Sequence, residues 1–243
     1  MRATRILAIT SLALILAGAA QAQPVYDYAW GGCFGTPGAV GPTTQNLGWT
    51  GGFSPYHQFV SATNVSAPVG QSVFGHELSI RVGPNVPDAW RFDSEGCMTA
   101  NFGQITYNTL GVAGCPGLRN GAESASNAYQ YDPVTQKALI NVATGYSDGR
   151  LEPDPATLWL LYNFQFGMAS AGSVCAGELD PLCFHIMRVA LGVGETPLSA
   201  VLVPAIAGQW DWVTFNDVDN QTGCPGVTQA EQSTWGQVKG LYR

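Results

Sequence analysis

Charge is scarce in this 243-residue chain: 11% of its residues are Asp, Glu, Lys or Arg. Basic side chains are the scarcer kind, ten against 17 acidic, for a net charge of −7. Nucleic acid and anionic membrane surfaces reward clustered Lys and Arg, so the balance argues against both as partners. Histidine is nearly absent. His57, His76 and His185 are the only three, and each sits in a strand-like run. No CxxC or HxxxH pair occurs, which ranks zinc well below disulfides for the cysteines. No Gly-x-Ser-x-Gly occurs either. The nearest text, "GQSVFG", lacks the last glycine at the right spacing for a nucleophile elbow. "HELSI" begins like a zinc-protease helix but has Ile80 where the second His is required. Long apolar runs are missing after the first 22 residues. The best, "ATLWLLYNFQF", is short and holds Asn163 and Gln165.

What is present begins with the N-terminus. Arg2 and Arg5 precede an apolar run from Ile6 to Ala17 and a small-residue end, Ala20-Gln21-Ala22. That order is a secretory signal peptide, with cleavage expected after Ala22. The run is shorter than the roughly 20 residues a membrane-spanning helix needs. Loss of Arg2 and Arg5 leaves eight basic residues against 17 acidic, a net charge of −9. Secretion or cell-surface display is expected, with the periplasm as the alternative. Six cysteines, Cys33, Cys97, Cys115, Cys175, Cys183 and Cys224, follow the leader, and an even count after an export signal reads as disulfides. Cys175 and Cys183 bound a short loop, so the expected pairing is Cys175–Cys183, Cys97–Cys115 and Cys33–Cys224.

Gly and Pro punctuate short apolar runs along the rest. In "HELSIRVG", Leu78, Ile80 and Val82 alternate with Glu77, Ser79 and Arg81, a strand with one buried face. "KALINVA", "FHIMRVALG" and "DWVTFNDVDN" read as strands too, and "ATLWLLYNFQF" as one buried on both faces. Strands in succession without intervening helices predict an all-β fold, an antiparallel β-sandwich of jelly-roll or immunoglobulin-like type. The expected division is signal peptide 1–22, one sandwich domain 23–232, and a tail or short helix 233–243. The tail has a capping-box pattern from Thr234 to Gln237, and Trp235, Val238, Leu241 and Tyr242 would share a helical face.

The ending "STWGQVKGLYR" resembles the close of a group of uncharacterised secreted bacterial proteins that finish on Thr-Trp-Gly-x-x-Lys-x-Leu-Tyr-Arg. "PDAWRFDSEGC" and "CAGELDPLCFHI" resemble two further segments of those proteins. The resemblance implies a secreted protein of unknown activity and carries no catalytic residues with it. It also makes Trp235, Lys239, Tyr242 and Arg243 candidates for recognition by a sorting or assembly partner, against a reading in which Trp235 packs on the sandwich.

Three clusters invite chemistry. Asp88, Asp93 and Glu95 surround Trp90, as a carboxylate pair beside a sugar-stacking indole would. Core packing is the plainer reading of that Trp. In "WDW", Trp210 and Trp212 share a strand face, either as a packing pair or as a flat sugar platform. Asp217, Asp219 and Gln221 alternate like oxygen ligands for calcium, but an EF-hand wants Gly and Glu where Thr222 and Thr228 stand. No other cofactor is expected. The leading expectation is an exported, non-enzymatic β-sandwich with a structural, cell-envelope or adhesion-type role. A carbohydrate-binding module and a secreted hydrolase follow, with an envelope component or a glycan as the partner.

Overall fold

A computed structural model of the chain describes residues 23–37, 39, 56–97, 104–167, 175–177, 180–194, 196–204, 211–216 and 224. The strands are β1 (Val25–Trp30), β2 (Tyr56–Thr63), β3 (Ser72–Val82), β4 (Gln104–Asn108), β5 (Gly111–Val112), β6 (Cys115–Pro116) and β7 (Glu123–Asp132). They continue with β8 (Lys137–Leu151), β9 (Trp159–Gly167), β10 (Leu182–Val193), β11 (Thr196–Val201), β12 (Val203–Pro204) and β13 (Trp212–Phe215). A 3-10 turn, Asp88–Trp90, follows β3. Among the described residues, no helix is long and apolar enough to cross a membrane.

One sheet has the order β12-β1-β2-β9-β4, the other β11-β10-β3-β8-β7. β13 joins the second sheet at β10, pairing Leu182–His185, while β11 pairs the other end of β10. All of these pairings are antiparallel except β1 with β12. The fold is the expected antiparallel sandwich.

The alternation in β3 does what its sequence demands. Leu78, Ile80 and Val82 are buried between the sheets, while Glu77, Ser79 and Arg81 are half-buried on the outer face. β9 is buried on both faces over most of its length, as expected, although Asn163 and Gln165 interrupt its apolar text. Tyr162, Phe164 and Phe166 enter the inter-sheet core, and Leu160 faces the other way. The centre of the core is aromatic. Trp90 meets Phe215, Phe184 and Phe166 edge-on at centroid distances of 4.7, 5.4 and 5.7 Å. Such edge contacts put ring hydrogens against π-faces, a favourable quadrupolar arrangement. Trp30 of β1 donates its indole N–H to the Thr214 carbonyl of β13 at 2.9 Å, which ties the two sheets together.

The six cysteines form Cys33–Cys115, Cys97–Cys175 and Cys183–Cys224. None of the expected pairs forms. Cys183 lies on β10 next to inward-facing Phe184, so it points to the outer face, where Trp212 and Cys224 pack on it. Cys175 sits instead beside the 3-10 turn, held there by the Ala89 N–H bond to the Ala176 carbonyl, within reach of Cys97. The short Cys175–Cys183 loop spans these two places rather than closing on itself. Cys115, on β6, lies over the outer face of the first sheet with Cys33, Phe59 and Leu160.

Candidate functional site: a trough on the outer face of the second sheet

Of the clusters singled out in the sequence, the described residues are packed into the fold or paired with neighbours. Trp90 is 1% exposed, with its ring enclosed by phenylalanines, and offers no face to a sugar. Trp212 is buried against the Cys183–Cys224 bridge. Asp88 lies 3.7 Å from the Arg91 guanidinium, which binds both oxygens of Asp93 at 3.1 and 2.6 Å and covers the Tyr131 ring. Desolvation opposes the Asp93 carboxylate, but the Arg91 bond and local backbone bonds outweigh it and hold its pKa below the ordinary value. A glycosidase acid needs the reverse shift. Trp210, Asp217, Asp219, Gln221, Trp235, Lys239, Tyr242 and Arg243 lie outside the described residues.

The histidines are not brought together. His57 bonds Asn163 at 3.1 Å on the outer face of the first sheet. His185 pairs with Asp211 at 3.4 Å on the outer face of the second. His76 lies between the sheets, fully buried against the ring of Tyr162.

The second sheet does build a concave site. Strand register lines up Ser124, Gly145, Gly75 and Gly192 across β7, β8, β3 and β10. Three adjacent strands therefore carry no side chain at that level. The next row is Ser126, Ala143, Glu77 and Ala190, and the one after is Ala128, Asn141, Ser79 and Arg188. The result is a trough of about 380 Å³ whose lining includes Phe74, Glu77, Ser124 and Ser126. That volume falls within the range of small-molecule sites, roughly 300–1,000 Å³. Phe74 closes one end, since a Cβ on Gly192 would sit 3.2 Å from its ring. Glu77 and Arg188 face each other at 3.7 Å, and Ser79 donates to Asn141 at 2.6 Å. Burial pushes the Glu77 carboxyl up, and Arg188 works against the shift.

Beneath the glycine row runs a chain of polar groups. His76 Nε2 bonds the Tyr146 hydroxyl, Tyr146 bonds Thr109, and Thr109 donates to Glu123 at 2.6 Å. Arg119 completes the chain on the same Glu123 oxygen at 3.3 Å. A carboxylate only accepts, so each hydroxyl donates toward Glu123 and His76 carries its proton on Nε2. Burial drives the His76 pKa down to about 3, so the ring is neutral. Among the described residues its Nδ1 has no partner. The chain ties Tyr146 of β8 to His76 of β3 beneath the trough.

The sequence held one signal for this site. Gly75, Gly145 and Gly192 each interrupt a strand-like run, which marks close approach or an open surface. No family model matches the chain, and no curated protein matches it.

Proposed function

We propose that the protein is an exported, non-enzymatic β-sandwich that acts by binding, in a cell-envelope or adhesion-type role. The trough carries this reading. It is a concavity on the outer face of a sheet, and its carboxylate, Glu77, is already paired with Arg188. Three disulfides and an all-β fold fit an oxidising compartment outside the cytoplasm. The leader at 1–22 and the sparse charge point the same way. On this reading residues 23–232 are the binding domain, and residues 233–243 serve sorting or assembly.

Co-sedimentation tests the proposal. Oxidised residues 23–243 are mixed with isolated bacterial envelope, and both the pellet and any soluble fragments are followed. Retention in the pellet without time-dependent release is expected. Steady release of fragments, lost in Glu77→Gln, would make the protein a hydrolase and overturn it. Failure to pellet with any envelope fraction would overturn it as well.

A further inference from the structure

The geometry points to a specific occupant of the trough: we infer that it binds a neutral glycan strand, stacked on Phe74 and hydrogen-bonded by Glu77, Ser124 and Ser126. The inference rests on the binding reading above and gives it a ligand class.

Shape comes first. Between Ser124 and Gly75 the row crosses two inter-strand spacings, roughly 10 Å, and ends against the Phe74 ring, which covers Gly192. A flat, elongated ligand can lie directly on the backbone there. The ladder already uses the backbone hydrogen-bonding groups of β8, β3 and β10, so an extended peptide gains nothing from them on this face. Specificity must come from side chains, and those on offer are short hydroxyls, one carboxylate and one aromatic ring.

Chemistry narrows the ligand further. An apolar molecule would strip water from Glu77, Ser124 and Ser126 without replacing their hydrogen bonds, which is costly. A polyanion would meet Glu77 and the net negative charge of the chain. A polycation would have to compete with Arg188 for Glu77. A polyhydroxylated neutral chain meets each group with a suitable partner. Its hydroxyls donate to Glu77 and exchange hydrogen bonds with the serines, and its C–H faces pack on Phe74. Sites of this type combine an apolar surface with a few convergent polar groups.

Gly145 provides the probe. A Cβ added there meets nothing closer than the Ser124 carbonyl at 3.9 Å, so a larger side chain fits the fold and fills the trough. Cellohexaose, chitohexaose and maltohexaose are titrated calorimetrically into oxidised wild type, Gly145→Leu and Phe74→Ala, with polygalacturonate as the anionic control. Thermal melts of all three proteins run alongside. Wild type is expected to bind at least one neutral hexasaccharide, and each variant to bind it about tenfold or more weakly, the loss of one anchoring contact. Gly145→Leu is expected to melt with wild type. If that variant fails to fold, Phe74→Ala together with Ser126→Ala decides the matter by the same criterion. Binding unchanged in the folded variants, or tighter binding of polygalacturonate, overturns the inference. If no neutral hexasaccharide binds while the protein still pellets with envelope, the glycan fails and the binding reading stands. If neither occurs, both fall.

Discussion

Asp27 on the outer face of the first sheet and Glu77 on that of the second are treated in opposite ways. On the first sheet, Asp27 stands directly opposite Ser61 across β1 and β2. Both are buried, and among the described residues neither Asp27 Oδ1 nor Ser61 Oγ has a partner. Burial raises the Asp27 carboxyl to about 6. On the same face the Cys33–Cys115 bridge packs over Phe59 and Leu160. On the second sheet, Glu77 keeps a third of its side chain exposed, has Arg188 as a partner, and borders an open row of glycines. One face has become a second, smaller core, with a polar group that opposes folding. The other has given up side chains to remain open. Away from the cluster of Trp212 with the Cys183–Cys224 bridge, the stretch along the glycine row is neither covered nor filled, and the proposed binding falls there.

The interior between the faces sets the scale for breaking this comparison. Trp90→Ala should cost about 3–5 kcal/mol, because the cavity it leaves lies among three aromatic rings. Chemical denaturation would show it as a shifted midpoint at unchanged slope. A loss of glycan binding at full stability would instead restore Trp90 as a ligand platform. The cover of the first sheet comes next. Replacing Cys33 and Cys115 together by Ala should cost about 2–5 kcal/mol. The same denaturation curve measures it, and binding in the trough should survive wherever the protein remains folded.

The glycine row separates shape from stability within one face. A Cβ on Gly75 would collide with the Thr144 carbonyl, whereas one on Gly145 meets open space. Gly75→Ala should therefore lose about 1–3 kcal/mol by overpacking, while Gly145→Ala stays within about 0.5 kcal/mol of wild type. Equal melts for the two would mean that the register drawn here is wrong.

Acid titration sharpens the contrast most finely. Asp27 has a folded pKa near 6, above its unfolded 3.8, so it favours folding in acid and loses that contribution as pH rises through 6. His76 has a folded pKa near 3, below its unfolded 6.5, so its contribution is intact above 6.5 and is lost as pH falls toward 3. Between about 4 and 6 the two slopes oppose each other. Asp27→Asn should raise stability at pH 7 by about 1–3 kcal/mol. It should also make the acid-side loss steeper, because the His76 slope then acts alone. Thermal melts from pH 7 to 4 read both effects, and parallel curves for the variant and wild type would refute the assignment.

Much of the framework was legible because alternation is a local property. Leu78, Ile80 and Val82 declare their face within six residues, and the apolar density of β9 declares a strand covered on both sides. Trp90 could be read as core from the apolar cost of leaving it elsewhere. β7 was not legible. "ESASNAYQYD" carries little apolar alternation, because an edge strand paired only with β8 leaves most of its residues exposed. Disulfide pairing was hidden for a related reason. Spacing along the chain says nothing about where a strand carries its ends, and β10 carries Cys183 away from Cys175. The trough is the extreme case. Its three glycines are 70 and 47 residues apart in sequence and become neighbours only through the register of three strands.

The order of the bridges has a consequence for biogenesis. Cys33–Cys115 and Cys97–Cys175 interlace along the chain, because Cys97 falls inside the first loop and Cys175 outside it. A polypeptide threaded N-terminus first into an oxidising space presents Cys97 to Cys33 before Cys115 arrives, 18 residues later. Oxidation in order of emergence would join the wrong partners. The native set then depends on thiolate attack that reshuffles the first bond, or on a delay until β6 has docked over Phe59 and Leu160. On the exported reading, yield of this protein is tied to the isomerase capacity of the compartment that receives it.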